Sequence, residues 1–80
     1  MDLEYLKDVV SSEVSKRVRN GEITSSLESN KMQSWALKIC EWIFGKDTTR
    51  QMICYVLKWI FYLNGKTSKY PNWSDCQPNY

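Results

Sequence analysis

Met52-Ile53-Cys54-Tyr55-Val56-Leu57-Lys58-Trp59-Ile60-Phe61-Tyr62-Leu63 is the long apolar run of an 80-residue chain, and its reading decides the fold. Lys58 is its one charge, with Arg50 before it and Asn64-Gly65 after it. Spanning a bilayer takes about 20 apolar residues. Arg50 and Lys66 hold this run well short of that, so membrane contact is disfavoured. The run does not alternate strictly between apolar and polar residues, which favours a helix over a half-buried strand. On a helix, Met52, Ile53, Val56, Leu57, Trp59, Ile60 and Leu63 form an inward face. Opposite them Gln51, Tyr55, Lys58 and Tyr62 follow one another at i, i+4, i+7 and i+11. Tyr and Lys can cover apolar surface while keeping their polar tips wet. This second stripe is therefore expected to face outward and to serve binding.

Upstream, Gly45-Lys46-Asp47 reads as a tight turn, and Thr48 with Gln51 matches a capping box that starts the apolar helix at residue 49. A second box, Ser25 with Glu28, opens another helix over 26–44 that Gly45 stops. Met32, Trp35, Ala36, Ile39, Cys40, Trp42 and Ile43 give it a wide apolar arc, extended by Leu37 and Phe44. An arc of that width belongs to a helix contacted on two sides. Lys31, Ser34, Lys38 and Glu41 occupy the remaining face.

Residues 2–19 make a first helix with a narrow stripe of Leu3, Leu6, Val10, Val14 and Val18. Its acids come early (Asp2, Glu4, Asp8) and its bases late (Lys16, Arg17, Arg19), which suits the helix dipole. Asn20-Gly21 ends it, and Glu22–Thr24 is a short connection. After Gly65 the composition changes: Lys66 to Tyr80 holds both prolines, Tyr70, Trp73 and Tyr80, and no aliphatic residue. The reading is thus all-α. A three-helix bundle (2–19, 26–44, 49–63) forms a domain over residues 1–65, and an irregular tail over 66–80 is either pinned by Tyr70 and Trp73 or free.

Composition limits what such a bundle can do. A chain this short buries only about 60% of the surface its unfolded form exposes, yet it carries four Trp, five Tyr and two Phe. Some of those rings must lie at the surface or in an interface, and a homo-oligomer is expected as the commonest relief, a dimer first. The net charge of +2 is small, but residues 30–69 hold seven bases against Glu41 and Asp47. Cys40, Cys54 and Cys76 form no C-x-x-C pair, and an odd count leaves one over in any monomeric disulfide scheme. With no histidine, a Cys/His metal site is excluded and general acid-base chemistry has few candidates. No catalytic residue, metal or cofactor is expected. The opening residues 1–8 are charged and lack the apolar core of a signal peptide, which points to a reducing intracellular compartment, cytoplasmic or nuclear.

Local motifs add little. Gly65-Lys66-Thr67 lacks the earlier glycine of a phosphate-binding loop, since Ile60 stands there. Asn72-Trp73-Ser74 spells a glycosylation sequon without a secretory signal. The turn before Arg50 resembles a helix-turn-helix join, but the helix after it is too apolar to lie in a major groove. The expected function is a non-enzymatic protein-interaction or oligomerisation module, an adaptor or inhibitor. Its partner contacts are Trp35, Trp42, Tyr55, Lys58, Tyr62 and Trp73, residue types that act as rigid anchors at interfaces. The alternative is a small nucleic-acid-binding protein that sets Lys31, Lys38, Lys46, Arg50 and Lys58 against phosphates.

Overall fold

The computed structural model describes residues 2–77; Met1 and the last three residues of the expected tail lie outside them. Three helices form a bundle: α1 spans Leu3–Arg19, α2 spans Ser29–Phe44 and α3 spans Arg50–Leu63. No strand occurs among the described residues. α3 is the central element, packed on α1, on α2 and on the chain that follows it. Its apolar face explains that position, because Met52, Val56, Trp59 and Ile60 are all buried.

In α1, the Asp2 carboxylate caps the start by accepting from the Glu4 and Tyr5 amides, the former at 3.1 Å. Leu6, Val10 and Val14 are the buried stripe, while Leu3, expected in the core, lies exposed in the first turn. At the other end Gly21, at φ 76°, sends its amide to Val18 O while the Glu22 amide reaches Arg17 O at 3.0 Å. These two crossed bonds satisfy the last carbonyls of the helix, and only a residue content with positive φ makes them cheaply. Ile23, inside what the sequence reads as a plain connection, is fully buried and closes one end of the core.

Both capping boxes shift. Ser25 to Glu28 does not cap α2: the Leu27 amide donates to Thr24 O at 3.1 Å, so these residues are occupied by a turn, and α2 begins at Ser29 instead of 26. Glu28 holds the cap position without a side-chain bond. At α3 the cap is Thr49, whose Oγ1 accepts from the Met52 amide at 3.2 Å. Thr48, the expected cap, turns its hydroxyl to Gly45 O at 2.9 Å and Cys40 O at 3.2 Å, tying the turn to the end of α2.

The described part of the tail is docked. Asn64 and Gly65 end α3 with the same crossed bonds as α1, the Lys66 amide reaching Phe61 O at 2.9 Å, and the chain folds back along α3. Pro71 is buried there, and a 3-10 turn over Trp73–Cys76 is capped by Asn72 Oδ1, which accepts from the Ser74 amide at 3.2 Å. Cys76 is joined to Cys54 of α3 in a disulfide, with the Cα atoms 5.9 Å apart. Of the two grounds for a reducing compartment, the charged opening residues and the lack of an evident cysteine pair, this bridge removes the second. Cys40 stays a free, buried thiol. Among the described residues no helix is long and apolar enough to cross a membrane.

Candidate partner-binding surface

The two helices of the central hairpin carry the same pattern twenty residues apart. Lys31, Trp35, Lys38 and Trp42 on α2 match Gln51, Tyr55, Lys58 and Tyr62 on α3 in spacing. Such spacing confines each set to about 60° of helix circumference. Their fates differ.

On α3 the stripe is covered. Tyr55 is 4% exposed, edge-on to Trp73 of the tail at 5.4 Å between ring centroids and to Trp59 at 6.4 Å. Tyr62 meets Tyr70 edge-on at 5.4 Å, and Tyr70 also lies 5.3 Å from Trp59. Lys58 lines a cleft of about 150 Å³ with Phe61 and the tail residues Thr67, Lys69, Tyr70 and Pro71. Tyr55 is therefore not a surface anchor, contrary to the outward orientation read from the sequence. Tyr62, Lys58 and Trp73 are half-buried in the same contact. The stripe's partner is the chain itself.

On α2 Lys31, Lys38 and Trp42 are exposed, while Trp35 is half-buried against the core. Trp42 is 58% exposed although its neighbours Ile39 and Ile43 are buried or half-buried. Its indole is nonetheless held: Trp35 approaches edge-on at 6.5 Å, and the Arg17 guanidinium from the end of α1 lies 4.1 Å from its ring centroid. Arg17 is fixed in turn by Glu13 at 2.8 Å and Glu22 at 3.3 Å. The Lys38 ammonium sits 4.9 Å from the centre of the Trp35 ring. Cations placed over indole faces are attracted by the ring quadrupole, by about 0.5–1 kcal/mol at exposed sites. The result is a line of two preset indoles and two lysines that make no salt bridge among the described residues.

The structure thus brings together Trp35 and Trp42 from one expected set with Lys31 and Lys38 from the other. It separates them from Tyr55, Lys58, Tyr62 and Trp73. Lys46 and Arg50 are exposed at the α2–α3 turn. Arg17 is the member that sequence reading missed. Its i,i+4 spacing from Glu13 shows an ion pair, but only the crossing of α1 and α2 puts it on Trp42. A separate apolar groove of about 210 Å³ runs between Asp2, Tyr5, Leu6, Val9, Ile43, Phe44 and Met52. No group of metal-ligating side chains occurs among the described residues. Comparison with family models, with curated proteins and with solved structures found no match.

Proposed function

We propose that this chain is a non-enzymatic binding module whose α2 stripe of Lys31, Trp35, Lys38 and Trp42 is the contact surface for a protein partner. One observation carries the reading: a tryptophan 58% exposed yet fixed in orientation by a guanidinium and a second indole. Exposing a large ring costs hydrophobic free energy, and holding it rigid reduces the entropy lost when a partner seats on it. Tryptophan flanked by cations is the composition of an interface anchor.

The interleaved lysines also suit phosphates with stacked bases. Against that, Arg17 and Lys38 already lie over indole faces that stacking would need. The oligomer expectation rests on the large apolar residues left exposed, Leu37 and Trp42 on α2 with Leu3 and Tyr5 on α1, because the tail takes up much of the aromatic surface of α3. The Cys54–Cys76 bridge supports an oxidising compartment, where disulfides persist.

A photo-crosslinking residue at position 42, compared with one at position 58, tests the reading in cells producing the chain. The expected result is a discrete protein adduct at 42 that Lys31→Glu with Lys38→Glu abolishes. A nucleic-acid adduct, with affinity falling steeply between low and high salt, would replace the protein reading. An adduct to the chain itself, with a dimer by light scattering, identifies the partner as a second copy.

A further inference from the structure

We infer that the occupant of the α2 stripe is a short polypeptide segment carrying an aromatic residue, a proline and a carboxylate, of the kind the tail already lays on α3. The inference rests on the reading of α2 as a binding surface and names the ligand class for it.

The argument is an internal comparison. Tyr55-Lys58-Tyr62 and Trp35-Lys38-Trp42 have the same aromatic-Lys-aromatic spacing, so each presents two rings either side of a lysine on one helix face. The α3 copy shows how such a face is covered. Trp73 and Tyr70 meet Tyr55 and Tyr62 edge-on, each at 5.4 Å, and the buried Pro71 lies between them in the chain. Asp75 lines the Lys58 cleft and pairs with Lys69 at 3.2 Å, so an acid accompanies the rings. Edge-to-face contact suits α2 as well, because Arg17 lies over a face of Trp42, whose ring stays 58% exposed.

Charge sharpens the choice. Lys31 stands where α3 has Gln51, so the α2 stripe has one more cation than its counterpart, and neither Lys31 nor Lys38 makes a salt bridge among the described residues. A complementary segment brings carboxylates to both. Ile39 stands where α3 has Trp59, and it is fully buried. The α2 face therefore offers two rings where α3 offers three, which makes binding weaker and dependent on the charges.

The test uses the intact, oxidised chain and a peptide spanning residues 68–77 with C76S. Titration is followed by NMR on the indole N–H signals. Saturable shifts of the Trp35 and Trp42 signals are expected. They should be lost with Tyr70→Ala plus Trp73→Ala in the peptide, and weakened about tenfold by Lys31→Glu plus Lys38→Glu in the protein. A scrambled peptide that shifts the same signals equally, or a response confined to Trp59 and Trp73, overturns the proposal. No shift at millimolar peptide, with the cross-link at position 42 intact, overturns the ligand class and leaves the binding surface standing. Loss of both removes the surface as well.

Discussion

Two aromatic residues, one from each stripe, do opposite jobs. Tyr55 is sealed between Trp59 and Trp73, whereas Trp42 projects into solvent beside Arg17. Truncating a buried aromatic ring costs about 3–5 kcal/mol, and Tyr55→Ala is expected to lose that much in urea unfolding. Trp42→Ala gives up an exposed cation–π contact and an edge contact, about 1 kcal/mol, while abolishing the partner contact. If both variants lose equal stability, Trp42 is structural and the surface loses its main support. Cys40 provides a separate check at this scale. Burial, with the Glu41 charge adding to it, pushes its thiol from an ordinary 9.0 up to about 11. The native thiol keeps its proton where the unfolded one gives it up, so unfolding releases a proton and stability falls as pH rises from 9.0 towards 11. The stability difference between the wild type and Cys40→Ala should be flat below pH 9.0 and should shrink above it. A difference that stays constant through this range would show that the thiol is not shielded.

At the scale of the elements, the two threonines and two serines ahead of α3 and α2 show what sequence signals resolve. Each box is a hydroxyl three residues before an acid or amide, and both patterns are spelled correctly. Only one end uses a hydroxyl cap, and it uses Thr49 in place of Thr48. Thr49→Ala should therefore cost about 1 kcal/mol, while Ser25→Ala, at an exposed turn position, should leave the midpoint unchanged. A loss of comparable size at Ser25 would restore the earlier helix start. Helix number, order and the apolar face of α3 were legible because 3.6-residue periodicity persists over four turns and averages out local exceptions. The caps were not, since neighbouring hydroxyls compete and carbonyls across the turn, here Cys40 O, decide between them. The same limit hid the state of the Tyr55-Lys58-Tyr62 stripe. Its periodicity shows a coherent face, but what covers that face comes from residues at the far end of the chain.

For the whole molecule, the decisive event is the return of the tail along α3. Periodicity carries no information about an irregular segment, and three cysteines in separate contexts do not announce a pair. Tyr70, Pro71 and Trp73 nonetheless cover much of the aromatic stripe of α3, burying Tyr55 and leaving Tyr62 half-buried. The Cys54–Cys76 bridge locks this arrangement across a sequence separation of 22. Closing a loop of that length removes chain entropy from the unfolded state worth about 3 kcal/mol, against a total of about 5–15 kcal/mol for a typical domain. Reduction, or Cys54→Ser with Cys76→Ser, should thus lower Tm markedly while the helical signal below the transition is kept. The serine pair separates the bridge from side effects of the reductant. Under non-reducing conditions the purified chain should be two hydrogen atoms lighter by mass than after reduction, with Cys40 alkylated only on unfolding. Should the serine pair melt at the wild-type temperature, the tail is held by its aromatic contacts alone. The ring packing against Tyr55 and Tyr62 would then have to supply the whole of the closure. In that case Tyr70→Ala with Trp73→Ala, and not loss of the bridge, is the change that exposes the α3 stripe.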